Sequence, residues 1–308
     1  MKIEAVTVQK LIKDFDFDVL VEGEKDVAIN VSDINRPGLQ LSGFYNYFAP
    51  ERIQVIGKAE WSFIEDMTPE IRRKRLTKFF SFDVSCLIIT RGLQPHKDVL
   101  EYAKNSKIWI IRTKLITTQF ISKLTMYLAD KMAPETRLHG VLVDVYGIGM
   151  LITGESGIGK SESALELIKR GHRLVADDAV DIKEIDGELI GISPEITFGM
   201  LEVRGMGIID VSALYGLSSI IPKKTISITV SLEHWKDDGN YDRLGLSDDF
   251  IDVLGVKLKK ITIPIRPGRN IAVIIEAAAA NYRYSLMSEV SPVDIIDQRM
   301  EKLLEDRS

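Results

Sequence analysis

Short apolar runs alternate with amphipathic stretches through the first part of the chain, and the pattern predicts an α/β domain. Residues 19–23, 28–31, 52–57 and 61–64 read as strands, and 86–90 as a buried-type strand. A helix starts at Pro69, with Ile71, Leu76, Phe79 and Phe80 as its apolar face. Residues 96–107 and 115–132 read as further helices, with a strand at 108–112 between them. Asn35 to Gly38 is a turn cluster. The alternation predicts parallel pairing of strands 86–90 and 108–112.

The pattern breaks at Met132-Ala-Pro-Glu-Thr136, which predicts domains 1–132 and 133–308. The second part reads as strands at 140–145 and 150–153, joined by a turn at 146–149. A helix at 161–170 follows, then strands at 173–176, 180–184 and 188–192, with Asp186-Gly187 as a hairpin turn. Strands at 226–232 and 261–265 precede closing helices at 270–286 and 293–304. The last helix carries Ile296, Met300, Leu303 and Leu304 on one side.

The composition agrees with two folded domains. The chain has 308 residues, 45% of them hydrophobic, which is enough to fill two cores and excludes disorder as a description of the whole. The single cysteine, Cys86, excludes an intramolecular disulfide framework and a cysteine-based zinc site. His96, His139, His172 and His234 stand too far apart in sequence to suggest a histidine-rich metal centre. A net charge of -5 argues against bulk nucleic-acid binding. No run approaches the roughly 20 apolar residues of a membrane span, and the first residues carry no leader pattern. The expectation is a cytoplasmic protein with neither nucleic-acid nor membrane partners.

One motif carries chemistry. Gly154-Glu155-Ser156-Gly157-Ile158-Gly159-Lys160-Ser161 fits G-x-x-x-x-G-K-[ST] at every fixed position, between a predicted strand and a predicted helix. Glycines let successive N–H groups turn inward as a nest for phosphate oxygens, and the helix N-terminus adds partial positive charge. Lys160 suits the β- and γ-phosphates of ATP, and the Ser161 hydroxyl suits Mg²⁺. The same stretch lacks the last glycine of a hydrolase nucleophile elbow. Gly147-Ile-Gly149 has Ile152 where a dinucleotide fingerprint needs glycine.

Asp177 and Asp178 end the next predicted strand. Neighbours on a strand point to opposite faces, so one can face the phosphates and accept a hydroxyl proton while the other makes a structural or metal contact. The pattern leaves open which does which. Further on, Glu202 can ligate Mg²⁺ and Arg204 can pair a phosphate or carboxylate, with Gly205 next to them. Pro264, Arg266, Pro267, Gly268 and Arg269 put two arginines on a stiff turn before a helix, which suits an anion.

Together these segments resemble the bacterial HPr kinase/phosphorylase family of low-GC Gram-positive type. The resemblance rests on His139-Gly-Val-Leu-Val-Asp-Val-Tyr-Gly147, the loop Gly154 to Ser161, Gly171 to Asp178, Glu202-Val-Arg-Gly-Met-Gly-Ile-Ile-Asp-Val211, and Pro264 to Arg269. It implies a catalytic domain like that of phosphoenolpyruvate carboxykinase, and the chain indeed lacks the DFG and HRD signatures of eukaryotic protein kinases. It implies phosphorylation of a serine on HPr, the phosphocarrier of the sugar phosphotransferase system, and removal of that phosphate by phosphorolysis. It also implies a homohexamer and a role in carbon catabolite repression. Residue by residue, it makes Lys160 a phosphate binder, Ser161 and Glu202 the Mg²⁺ ligands, and Asp178 the proton carrier. His139 and Arg243 become further active-site positions, and Pro264 to Arg269 the segment tied to dephosphorylation. A small-molecule kinase or carboxykinase, and a non-catalytic nucleotide switch, are the other readings the motif allows.

Overall fold

Thr68 caps the helix that Pro69 begins: its hydroxyl accepts the Ile71 N–H at 3.4 Å, and the helix runs Pro69–Phe79. Leu76, Phe79 and Phe80 are buried as the spacing predicts, but Ile71 is exposed and Arg72 takes an inward position. Arg72 is affordable there because its donors are used. Nε donates to Asp98 Oδ2 at 2.9 Å, and Nη1 donates to the Met67 carbonyl at 2.8 Å. The computed structural model to which this helix belongs describes residues 6–25, 27–235, 249–266, 268–288 and 292–305. It divides into two compact units, Lys2–Ala133 and Pro134–Ser308.

In the N-terminal unit a five-stranded sheet runs in the order Asp18–Val21, Trp109–Arg112, Cys86–Ile89, Ile53–Ile56, Ile34–Asn35. The last four are mutually parallel, including the expected pairing of Cys86 with Trp109, and the first is antiparallel. Alternate residues sort to the two faces. Val55, Cys86, Ile88 and Ile111 pack with Leu11 of helix Val8–Phe15 and with Phe120, Leu124 and Leu128 of helix Thr117–Met132. Ile56, Leu87, Ile89 and Ile110 pack with Leu41, Ile64, Leu76, Phe79, Val99 and Ala103 on the other side. The result is a three-layer α/β/α unit.

Residues 61–64 are not a strand. They lie in helix Lys58–Asp66, whose first turn is held by the Glu60 carboxylate accepting the Gly57 N–H at 3.0 Å. That local cap outweighs a four-residue apolar run in which only Ile64 is fully buried. Helix Val8–Phe15 was also not expected from the pattern.

The C-terminal unit contains a mixed sheet of nine strands among the described residues. Its main path runs Arg173–Ala176, Val141–Val145, Ile148–Gly154, Lys223–His234, Glu188–Ile192, Ala179–Ile185, Glu135–His139. Val256–Ile265 also pairs with Lys223–His234, in parallel, and Phe250–Val253 pairs with Val256–Ile265. Asp186 and Gly187 both have positive φ (52° and 83°), as the predicted two-residue hairpin requires. One sheet face, with Val143, Met150, Ile152 and Val230, packs against helices Lys160–Lys169 and Ile271–Ser285 through Ala164, Leu167, Ile275 and Ala279. Strand Glu135–His139 falls where the sequence reads as a break. In the last helix, Pro292–Glu305, Ile296 and Met300 are exposed. No helix among the described residues is long and apolar enough to cross a membrane.

The Arg72 arrangement has a measurable consequence. The Arg72 hydrogen bond, chiefly, holds the Asp98 carboxyl below its usual range. A lowered folded-state value means the pair's contribution is present above the unfolded carboxyl range, near pH 4, and is lost as pH falls through the folded value. Arg72→Met should destabilise the unit by about 2–4 kcal/mol at neutral pH, and less at pH 3, in urea titrations. An equal loss at both pH values would refute the assignment.

Candidate active site

Strand Ile148–Gly154 lies in the middle of the nine-stranded sheet and pairs in parallel with Lys223–His234, Gly154 opposite Leu232. This fixes the start of the glycine loop. A Cβ on Gly154 would lie 2.6 Å from the Leu232 carbonyl oxygen, so close approach as well as its φ of 143° demands glycine. The loop closes onto helix Lys160–Lys169. Ile158 is buried in the core behind it, so its side chain anchors the loop. Lys160 is buried, and its Nζ donates to the carbonyls of Gly154 and Glu155, both at 3.0 Å.

The two aspartates differ sharply. The strand ends at Ala176, so the expected alternation does not apply to them. Asp177 is buried; Oδ1 accepts the Ser161 hydroxyl at 2.9 Å and Oδ2 accepts the Glu202 N–H at 2.9 Å. It therefore ties the first turn of the glycine-loop helix to strand Met200–Val203. Burial pushes its carboxyl above the ordinary range, opposed by the Glu202 and Ser161 hydrogen bonds. Asp178 has left-handed backbone, φ 66°, and its side chain is 70% exposed. Its Oδ1 lies 3.0 Å from His139 Nδ1. That pairing follows from the sheet, where His139 is opposite Ala179.

Glu202 sits on a hairpin, opposite Ile208 of strand Gly207–Asp210. The turn after it, with Gly205 at φ 85°, brings Arg204 onto the glycine loop. A Cβ on Gly157 would lie 2.3 Å from Arg204 Nη1, so the bare glycine is what admits the guanidinium. His139, Ser156, Gly157, Gly159, Lys160, Ser161, Asp177, Asp178, Glu202 and Arg204 thus line one cavity. Glu162 lines it too and was missed; its only signal was an acid in the first turn of the helix.

Of the Pro264 to Arg269 segment, none of the described residues lines that cavity. Arg266 stacks on the Trp235 indole, 3.3 Å from the ring centroid, and Arg269 Nη1 donates to the Pro264 carbonyl at 3.1 Å, bracing the turn. Gly268 holds φ 82° in this turn. The neighbouring His234 lies 3.9 Å from the Glu155 carboxylate, on the exposed side of the loop. Arg243 and Pro267 lie outside the described residues.

Residues 6–128 match the model of the HPr Serine kinase N terminus, and residues 130–300 that of the HPr Serine kinase C-terminal domain. An HPr kinase/phosphorylase of Clostridium perfringens (strain SM101 / Type A) is 75% identical over 303 residues, 98% of this chain and 99% of that protein. One from Clostridium beijerinckii is 69% identical over 298 residues, 97% of this chain and 99% of that protein. Among solved structures, the Hpr(Ser) kinase/phosphatase from Coxiella burnetii is 35% identical and covers 50% of this chain and 99% of its own, with a TM-score of 0.47.

A two-unit α/β chain with these relatives is an enzyme of the kinase/phosphorylase class. It belongs to the HPr kinase/phosphorylase family.

Proposed function

We propose that the enzyme transfers the γ-phosphoryl group of ATP to a serine of HPr and removes it again by phosphorolysis. The observation that carries this reading is the convergence of Lys160, Ser161, Asp178, Glu202 and Arg204 on one cavity at the glycine loop. In the forward direction the serine Oγ–P bond forms, the bond from the γ-phosphorus to the β-bridging oxygen breaks, and Asp178 takes the hydroxyl proton. In reverse, an oxygen of inorganic phosphate attacks the phosphoserine phosphorus, pyrophosphate leaves, and Asp178 returns a proton to Oγ. His139 orients the Asp178 carboxylate. Lys160 and Arg204 balance charge on the phosphoryl oxygens in both directions.

The residues present fit Mg²⁺. The Ser161 hydroxyl donates to Oδ1 of the buried Asp177, whose Oδ2 accepts the Glu202 backbone N–H, and Ser161 and Glu202 line the same cavity, a hydroxyl and a carboxylate that suit a hard cation. Among the described residues no three or more His, Cys, Asp or Glu side chains group to hold a metal ion, so substrate phosphates would have to supply the remaining ligands. Ser161 and Glu202 would hold the ion; when bound, it neutralises phosphate charge. The catalytic fold of phosphoenolpyruvate carboxykinase type, a homohexameric assembly, cytoplasmic location and a role in carbon catabolite repression belong to the same reading. So do the anion-handling role of Arg266 and Arg269 in dephosphorylation and an active-site role for Arg243.

The test is incubation of the pure protein with labelled ATP and HPr, followed by inorganic phosphate. Label on a serine of HPr, then in pyrophosphate, is expected. Transfer to a small molecule without HPr, or release of phosphate in place of pyrophosphate, would overturn the proposal. Arg204→Ala should lower kcat/KM about tenfold or more, because the guanidinium over the glycine loop is lost, while the melting temperature moves little because Arg204 is exposed. An unchanged kcat/KM would remove Arg204 from the mechanism.

A further inference from the structure

The helix Pro69–Phe79 presents an unusual outer face. With the loop at Gly43 and Tyr45 it borders an open groove of about 630 Å³ in the N-terminal unit, lined also by Glu70, Arg73, Lys74, Arg75 and Lys78. Four cations and one carboxylate thus share a cavity in a chain whose net charge is -5. Among the described residues the side chains of Arg73, Lys74 and Arg75 have neither an ion pair nor a hydrogen bond. Four clustered cations facing a single carboxylate repel one another, and an anion in the groove would relieve that repulsion.

Two further observations point to a ligand. The Arg75 guanidinium lies over Gly43, where a Cβ would be 1.8 Å from Nη1, so it is seated in one place by a glycine with φ 103°. Tyr45 Oη is buried without a hydrogen-bond partner. Burial raises its pKa, against the opposing field of Arg75, so it keeps its proton and remains a donor. A buried donor without an acceptor is costly, and a ligand oxygen would satisfy it. Thr77 and Ser81 complete the lining, and the Tyr45 ring is the aromatic surface in it. Tyr45 stacks on Phe82 with centroids 5.1 Å apart, and Lys78 Nζ lies 5.0 Å from the Phe82 ring. The volume lies in the range of small-molecule sites and far exceeds that of inorganic phosphate.

We propose that this groove binds a small phosphorylated molecule with a ring-sized body, with Arg75, Lys78 and Tyr45 as phosphate contacts. The site lies in a different unit from the glycine loop and does not rest on the proposed reaction. Calorimetric titration of the full chain with inorganic phosphate, ribose 5-phosphate and AMP tests it. Saturable binding of ribose 5-phosphate or AMP is expected, with a Kd below about 1 mM. Arg75→Gln should weaken it about tenfold or more, Tyr45→Phe less, and Lys160→Ala should leave it intact. Basal kinase activity of Arg75→Gln should match wild type. If Arg75→Gln fails to fold, Lys74→Gln and Lys78→Gln, both on exposed positions, carry the same expectation. Several results would overturn the proposal: no binding by either organic phosphate, binding of inorganic phosphate alone, or binding lost in Lys160→Ala but kept in Arg75→Gln. So would binding only of a polyanion such as heparin or an acidic peptide.

Discussion

Lys160→Ala should abolish phosphorylation of HPr and phosphorolysis of phosphorylated HPr together. The ammonium is buried at the end of the glycine loop, 3.0 Å from two of its carbonyls, and is the cation closest in sequence to the nest. In either direction the same phosphoryl group crosses between oxygens beside it. Loss of one fixed positive charge there should cost about 10²–10³-fold or more in kcat. Lys160→Arg should rescue little, because a planar fork cannot replace a mobile point charge in so tight a loop. Folding should survive, since alanine is the best helix former and position 160 opens a helix. The check is both assays plus a thermal melt. A variant that keeps a tenth of either activity would show that Lys160 is not shared between them.

The glycine loop was legible because its chemistry fixes both residue types and spacing within eight consecutive positions. The N-terminal sheet was legible for a similar reason: 86–90 and 108–112 are short, apolar and flanked by helices, so parallel pairing was the economical reading. Other parts depend on contacts that spacing does not encode. His139 meets Asp178 only because Glu135–His139 pairs with Ala179–Ile185, and a strand there was hidden by the Ala-Pro step before it. Arg204 reaches Gly157 only through the hairpin between Met200–Val203 and Gly207–Asp210. In the N-terminal unit, a single carboxylate cap at Glu60 turned an apparent strand into helix Lys58–Asp66. The buried Arg72 ran against its polarity because Asp98 and the Met67 carbonyl were waiting for it. In each case a distant partner decided the outcome of a local preference.

Which aspartate carries the proton is the question the sequence left open, and the two environments give the two variants different expected outcomes. Asp177 has both oxygens engaged, by Ser161 and by the Glu202 N–H, and is buried. Asp178 is largely exposed, with one oxygen toward His139 and the rest of its carboxylate available to an incoming hydroxyl. Asp178→Asn should therefore lower kcat in both directions by about 10²–10⁴-fold, the usual worth of a positioned acid/base. The substitution is clean for a backbone reason. Position 178 has φ 66°, and asparagine tolerates the left-handed region as well as aspartate does, so fold and nucleotide affinity should be preserved. Asp177→Asn should behave differently. An amide nitrogen would replace one of two buried acceptors, so the Ser161 hydroxyl must turn from donor to acceptor or the Glu202 N–H loses its partner, and the melting temperature should fall. Measuring kcat, nucleotide affinity and melting temperature for both variants distinguishes the roles. If Asp177→Asn loses turnover with an unchanged melt while Asp178→Asn retains more than a tenth of wild-type kcat, the proton carrier is Asp177 and the exposed carboxylate beside His139 serves another purpose.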